Sequence, residues 1–383
     1  MPITSAAAAL VFAEVLTRGP VSRVEVARQT GLSPAAVTKV ARPFIAAGYL
    51  KELPAEARTA PGAGRPRNPL VVQPDREFFI GVKVTNDDLI GVVCDLRAQV
   101  REIRHHVLRT QEVDDTVRAL AELVAQLSEA SARYAPHTHS LGVAVSGDVD
   151  RVSGVVRYSP FLRWHDVPLG QLLARATGLT VTLENDVKAL TVAEHWFGDG
   201  VGTRSFALVT VGTGIGCGLF VNGALVTGAN GVAGELGHVP VGNGGPVCHC
   251  GGTGCVEAIA STEAILAQAR FATEEPGLTI DRAIGRARAG EEGLRRVFAR
   301  AGHAIGLALA TVANVVGPER IVVSGEGLRA YDLFEAEIRE TFAAQAFGAA
   351  ARCPLTIRPL PFEEWARGAA AVAIQTLVIP KPD

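Results

Sequence analysis

Beyond Pro74 the chain alternates short apolar strands with amphipathic helices, whereas residues 1–75 hold three short capped helices and a Gly/Pro/Arg-rich turn. These two patterns predict an α/β body with a twisted sheet, preceded by a small helical head that carries a wing. A third observation is that Cys248, Cys250 and Cys255 crowd into eight positions, which predicts a metal staple in the body.

The bulk numbers are consistent with such a chain. Its 383 residues are enough for two or three domains. A hydrophobic share of 48% with 20% charged residues excludes the disordered class. Net charge is only −2, but residues 1–75 hold nine Lys/Arg against five Asp/Glu, a net of +4 that leaves −6 for the remainder. A weakly basic head on an acidic body suits a small nucleic-acid-binding module. No uninterrupted apolar run reaches the roughly 20 residues of a membrane span, and no signal-peptide pattern opens the chain. The expected location is cytoplasmic, with no membrane partner. Cys94, Cys217 and Cys353 stand singly in apolar surroundings and read as buried thiols.

In the head, an apolar helical pattern from Ala6 to Thr17 stops at Arg18-Gly19-Pro20. Ser22 can cap a second helix over Arg23–Thr30, and Gly31 supplies the left-handed turn after it. Ser33-Pro34 opens a third helix to about Ala47, with Val37, Val40, Phe44 and Ile45 facing inward. A plain helical hairpin would show the same caps. The arrangement also presents a recognition helix to a major groove, with Ala35, Thr38 and Lys39 exposed near its start and Arg42 one turn on. Tyr49–Leu53 and Leu70–Val72 can pair as a wing around Ala63-Gly64-Arg65-Pro66-Arg67. There Arg65 and Arg67 can reach phosphates or a narrow minor groove. The domain expected from this reading is residues 1–75, a winged helix-turn-helix that binds double-stranded DNA.

In the body, strands are expected at Phe78–Val84, Leu89–Asp95, Leu141–Val145, Val181–Glu184, Phe206–Val211, Gly218–Val221 and Ile321–Ser324. Helices are expected at Val113–Tyr134, Leu169–Thr177, Ala189–Phe197, Gly293–Val316 and Ala366–Leu377. Phe78–Asp95 and Phe206–Val221 both read as strand, turn, strand, each opening one half of the body. Two such halves are what an actin-like, ribonuclease H-like fold requires. The expected body is therefore residues 76–383, with one lobe near 76–190 plus the C-terminal helix and another near 191–360.

Four motifs carry chemistry. Three thiolates with one imidazole complete a tetrahedral zinc sphere without an open position, so Zn2+ there would be structural. His238 is the better fourth ligand, although His249, between two of the cysteines, is also permitted. Glycine-rich Gly228–Gly237 can bring backbone close to a small ligand beside Glu235, and Glu257 follows the last cysteine by two residues. Glu184-Asn185-Asp186 ends a strand. Carboxylates and an amide gathered together suit the hydroxyls of a sugar, although any one of them alone reads as a solvated surface group.

Residues 78–383 resemble the ROK family of repressors, open reading frames and sugar kinases, and the head resembles the DNA-binding domain of its repressor branch. The resemblance runs through Ser146-Gly147-Asp148-Val149-Asp150, Glu184-Asn185-Asp186, Glu235–His238 and the cysteine loop with Glu257. It implies that Asn185, Asp186, Glu235, His238 and Glu257 contact a sugar. His238 would also ligate zinc with Cys248, Cys250 and Cys255. In kinase members the aspartate matching Asp186 is the general base that activates the sugar hydroxyl. The resemblance further implies a homodimer or homotetramer, which fits two-fold operators.

The chain departs from the kinases at their first phosphate loop, aspartate-x-glycine-x-threonine, where it reads Lys83-Val84-Thr85-Asn86-Asp87-Asp88. Lys83 replaces the acid that helps hold magnesium, and Thr85 replaces the glycine that lets backbone cradle phosphate. The second phosphate loop, Gly212-Thr213-Gly214-Ile215-Gly216, reads as intact. Phosphoryl transfer depends on positioning and on metal-mediated charge neutralisation, so losing one loop predicts little kinase activity, a vestigial Asp186 and no need for ATP/Mg2+. The expected function is a sugar-responsive transcriptional regulator, a repressor of carbohydrate metabolism. The alternatives are an ATP-dependent sugar kinase with a regulatory head and a regulator controlled by a partner protein.

Overall fold

The computed structural model describes residues 1, 3–54, 68–129, 138–242 and 244–379. Arg65 and Arg67, expected on the wing, lie outside the described residues. Two compact units divide the chain: Met1–Gly202 together with Glu363–Asp383, and Thr203–Phe362.

The first unit opens with α1 (Ala6–Arg18), α2 (Arg23–Thr30) and α3 (Pro34–Ala46). The side chains of Ser5, Ser22 and Ser33 each accept the backbone N–H three residues on, so all three helices start from a satisfied cap. Gly31 ends α2 in the left-handed region at φ 71°, where a side chain would be strained. Phe12 of α1 stacks on Phe44 of α3 at 4.8 Å between ring centroids, which closes the small core. Of the residues expected inside α3, Val37 and Phe44 are buried. Val40 and Ile45 are half-buried, and Ala41 fills the inner face instead. Strands β1 (Leu50–Glu52) and β2 (Leu70–Val72) pair antiparallel, and Val21 bridges to Leu70, so the wing is sewn to the loop between α1 and α2.

After this head come β3 (Phe78–Val84), β4 (Asp88–Asp95), β5 (Val100–Val107), α4 (Val113–Glu129), β6 (Thr138–Val145), β7 (Asp148–Asp150), β8 (Val155–Ser159), β9 (Trp164–Val167), α5 (Leu169–Thr177), β10 (Thr180–Asn185) and α6 (Asp186–Phe197). The main sheet has the order β10-β6-β3-β4-β5, with β3 antiparallel to β4 and parallel to β6. Alternate residues such as Ile80, Val82, Val143 and Leu183 form one apolar core with Leu120, Leu123, Leu169 and Leu173 of α4 and α5. The C-terminal helix Glu363–Val378 covers the other face so closely that a Cβ on Gly142 would stand 1.9 Å from the Ala369 carbonyl oxygen.

The second unit contains β11 (Phe206–Val211), β12 (Ile215–Val221), β13 (Ala224–Leu225), α7 (Val256–Ala260), α8 (Thr262–Thr273), α9 (Ile280–Arg288), α10 (Glu292–Val316), β14 (Arg320–Ser324), α11 (Glu335–Gln345) and β15 (Leu355–Ile357). Its sheet order is β13-β12-β11-β14-β15, again two antiparallel pairings followed by two parallel ones. The faint echo between Phe78–Asp95 and Phe206–Val221 is thus a repeated topology. Helix α10 is apolar enough for a membrane span, at mean hydropathy 1.3, yet 56% of that stretch is buried. Its inner face, from Leu294 to Ala313, is the centre of this unit's core.

Several elements went unexpected in the sequence reading: β5, the β7–β8–β9 sheet, β13, β15, and helices α7, α8, α9 and α11. Helix α6 begins at Asp186, not Ala189, because Asn185 caps it. Cys94 and Cys217 are buried, and burial pushes the Cys217 thiol up to about 12. Cys353 is only half-buried, because it lies between β14 and β15 where its strand has not yet entered the sheet.

Candidate functional site

In the first unit, the turn from β10 into α6 carries the expected acceptor pair. Asn185 Oδ1 accepts the Lys188 backbone N–H at 3.1 Å, and its Nδ2 donates to the Gly147 carbonyl at 3.0 Å. The cap and the Gly147 contact together use one lone pair and one N–H of this amide. Asp186 is buried at 8% exposure, and its Oδ1 accepts the Val187 N–H at 2.9 Å. Its Oδ2 accepts the Ser146 hydroxyl at 2.6 Å and pairs with the Lys83 ammonium. Lys83 also donates to Ser146 Oγ at 2.9 Å and lies 5.7 Å from the centroid of the Trp365 ring.

Burial pushes the Asp186 carboxyl up, but the Lys83 charge, followed by the Lys83 and Ser146 hydrogen bonds, outweighs it and holds the group below the usual carboxylate range. Such a carboxylate is a poor general base, since an ammonium already occupies Oδ2 and proton affinity is reduced. The residue that replaces the expected magnesium ligand thus becomes the cation of its own site.

The first loop is also closed on itself. Thr85 Oγ1 accepts the Asp88 N–H at 2.8 Å and donates to Asp87 Oδ1 at 3.0 Å, while Asp88 Oδ2 faces His105 Nδ1 at 3.0 Å. Beside it, burial pushes the Glu184 carboxyl up against the opposing charge of Arg151. Arg151 bridges Glu184 (3.3 Å) to Gln375 (3.2 Å) and Thr376 (2.8 Å) on the C-terminal helix.

In the second unit the cysteine loop gathers the expected ligands. His238 Nδ1 lies 3.6 Å from Cys248 Sγ, and Cys250 Sγ lies 3.8 Å from Cys255 Sγ. Thiolates on a tetrahedral zinc with Zn–S of about 2.3 Å stand roughly 3.8 Å apart, a spacing the Cys250–Cys255 pair matches. The donor atoms of His238, Cys248 and Cys250 lie within 4.8 Å of one another, so these three could hold an ion. His238 Nε2 faces Glu235 Oε2 at 3.9 Å, which leaves the second ring nitrogen on the side of the expected sugar contact. His249 Nδ1 lies 3.1 Å from Glu257 Oε1, so His249 has a carboxylate partner of its own. Gly234, at φ 94°, passes Cys217 where a Cβ would meet its carbonyl oxygen at 2.2 Å; only glycine lets the Glu235 loop lie on β12.

The second phosphate loop joins β11 to β12, and its donors are engaged. Glu257 Oε2 accepts the Ile215 N–H at 2.9 Å. Glu326 Oε1 accepts both the N–H of Thr213 at 2.7 Å and its hydroxyl at 3.0 Å. Glu326 was missed in the sequence reading. The available signal was an acid between Gly325 and Gly327 at the carboxyl end of β14, where open α/β sheets place ligands. On α3, Ala35, Lys39 and Arg42 are exposed. Thr38 is half-buried and donates its hydroxyl to the Pro34 carbonyl at 2.8 Å.

A strand order repeated in two α/β units, with acceptors at the carboxyl ends of strands, defines an actin-like fold of the sugar-kinase class, here preceded by three capped helices and a two-stranded sheet. The comparisons make the assignment specific. The chain belongs to the ROK family, whose profile matches residues 79–376. It is 31% identical over 326 residues to the DNA-binding transcriptional dual regulator NagC of Escherichia coli, covering 83% of this chain and 80% of that one. It is 33% identical over 265 residues to a glucokinase of Thermotoga maritima, covering 66% of this chain and 82% of that one. A crystal structure of a ROK family transcriptional regulator, described as a homolog of the E. coli MLC protein, superposes with a TM-score of 0.81 at 25% identity. That match covers 97% of this chain and 95% of the other. The repressor-like match extends over the head; the kinase match covers less of the chain.

Proposed function

We propose that this chain is a cytoplasmic transcriptional regulator of carbohydrate metabolism, a repressor that binds operator DNA and responds to a sugar without phosphorylating it. The observation that carries the reading is the buried Lys83–Asp186 pair, which turns the kinase base into an internally neutralised acceptor. Residues 1–75 are the proposed DNA-binding domain, with contacts from Ala35, Thr38, Lys39, Arg42, Arg65 and Arg67. Residues 76–383 are the proposed effector and oligomerisation domain, acting as a homodimer or homotetramer. Asn185, Asp186, Glu235, His238 and Glu257 are the proposed sugar contacts. Zn2+ on His238, Cys248, Cys250 and Cys255 would cross-link the loop and fix the His238 ring. A sugar can shift operator binding only through unequal affinity for the DNA-competent and DNA-incompetent states.

The test is operator selection from random duplexes, followed by anisotropy titration with a panel of pentoses, hexoses and amino sugars, with and without Mg-ATP. The expected result is sequence-preferring binding changed by one sugar without nucleotide. Lys39→Ala/Arg42→Ala should weaken it with a shallower salt dependence. Phosphorylation of a sugar that requires Mg-ATP and disappears in Asp186→Asn would overturn the reading in favour of the kinase. Response to no sugar would favour control by a partner protein.

A further inference from the structure

The Thr213 turn has the makings of an anion site, and the chain supplies its own anion. The turn follows a buried strand, offers a backbone N–H and a hydroxyl from one residue, and is flanked by Gly212 and Gly214. Such convergent donors on glycine-rich backbone bind tetrahedral oxyanions. Here both Thr213 donors end on one carboxylate oxygen of Glu326, at 2.7 Å and 3.0 Å.

Two glycines make that contact possible. A Cβ on Gly212 would stand 2.1 Å from Glu326 Oε1, so the carboxylate fills the space above the turn that glycine leaves open. Gly325, at φ 106°, passes so close to β11 that a Cβ would meet the Val211 carbonyl oxygen at 2.4 Å, and this passage delivers Glu326 onto the turn. The next donor, Ile215 N–H, is held by Glu257 Oε2 at 2.9 Å, whose other oxygen faces His249 at 3.1 Å. An incoming phosphate would have to displace one carboxylate and approach a second.

We propose that Glu326 is an internal plug: its carboxylate takes both Thr213 donors and so holds the second phosphate loop, Gly212–Gly216, shut against oxyanions. The ligand class the loop would take once opened is a tetrahedral oxyanion, free or as the terminal phosphate of a nucleotide. This inference rests on the geometry of one turn and does not depend on whether a sugar binds.

The experiment is calorimetric titration of the full chain with inorganic phosphate and, separately, with ADP, comparing wild type, Glu326→Ala and Glu326→Asp. Glu326→Ala removes the occupant; Glu326→Asp shortens it by one methylene, so that it no longer reaches Thr213 from the same backbone, and guards against a folding defect in the first variant. The expected result is at least tenfold tighter binding in both variants than in wild type, abolished by adding Thr213→Val. A gain for phosphate and ADP alike identifies a free oxyanion site; a gain for ADP alone identifies a nucleotide site, and either supports the proposal. Folded variants that bind both ligands no more tightly than wild type would overturn it, as would a gain that survives Thr213→Val.

Discussion

Lys83→Met removes the cation from a pair whose side chains are 5% and 12% exposed, while keeping the length and most of the volume of the lysine stem. Taking one partner from a buried ion pair costs about 3–5 kcal/mol, because the other charge stays buried without compensation. Asp186 would keep the Ser146 hydroxyl at 2.6 Å and the Val187 N–H at 2.9 Å, so the expected loss lies near the lower end, about 3 kcal/mol. In a unit of this size that is a fall in Tm of roughly 6–12 °C. The pH dependence gives the sharper signature. In wild type the depressed Asp186 pKa contributes stability that is present above the unfolded carboxylate pKa and lost as pH falls through the folded value. Without Lys83, burial dominates and the folded pKa rises, so the deficit of Lys83→Met should widen as pH climbs from 4 to 8. Urea melts across that range measure it, with Asp186→Asn and the double variant completing a cycle. The double variant has no uncompensated charge and should lose less than Lys83→Met alone. A Lys83→Met deficit below about 0.5 kcal/mol that is flat with pH would refute the reasoning.

Two further predictions concern the staple and the sheet. Zinc should purify with the chain, and its removal by chelation should lower the Tm of the second unit. His238→Ala should lose the metal while His249→Ala retains it, as elemental analysis would show; the reverse pattern would move the fourth ligand to His249. Gly142→Ala places a methyl 1.9 Å from the Ala369 carbonyl oxygen, which is backbone and cannot rotate away. It should cost on the order of 3 kcal/mol in urea melts, and an unchanged midpoint would mean that the C-terminal helix can lift from the sheet.

The features legible in the sequence were those written locally. Ser22, Gly31, Ser33 and Pro34 punctuate the head, and each stands where its cap or turn requires. The apolar strands β3, β6 and β11 announce themselves because both faces are covered, which leaves near-continuous hydrophobic runs. Strand β5 escaped because Val100–Val107 is an edge strand with arginines and histidines on a largely exposed surface, so no alternation survives. The β7–β8–β9 sheet escaped because its strands are three to five residues long. At the site, residue types were readable but partners were not. Lys83 looked like a missing magnesium ligand, and only the parallel pairing of β3, β6 and β10 brings it to Asp186, 103 positions away. Glu326 and Thr213 are separated by 113 positions, and the β11–β14 register joins them.

The contacts within the first unit also trace a route from the acceptor turn to the head. Asp186 opens α6, and Gly368 of the C-terminal helix packs on α6 so closely that a Cβ would stand 2.8 Å from the Leu190 nitrogen. One residue back on that helix, Arg367 Nε donates to the Ala98 carbonyl at 2.9 Å. Ala98 belongs to the β4–β5 turn, which the buried Asp95 carboxylate braces through the N–H groups of Arg97 at 2.8 Å and Gln99 at 3.0 Å. From this turn Arg97 Nη1 donates to the Gly19 carbonyl at 3.0 Å, at the bend between α1 and α2. A displacement of α6 by a bound sugar would therefore reach the head through rigid, hydrogen-bonded neighbours; contact continuity supplies the route, and a change in coupling is what tests it. Arg97→Ala removes one charged hydrogen bond, worth about 1.5 kcal/mol, and touches neither α3 nor the Asn185–Asp186 turn. Operator affinity without sugar should stay within about threefold of wild type, which corresponds to less than 1 kcal/mol. The sugar-induced change in that affinity, read by anisotropy at fixed salt, should shrink. An undiminished sugar response in Arg97→Ala would mean that the head is governed from elsewhere than the β4–β5 turn.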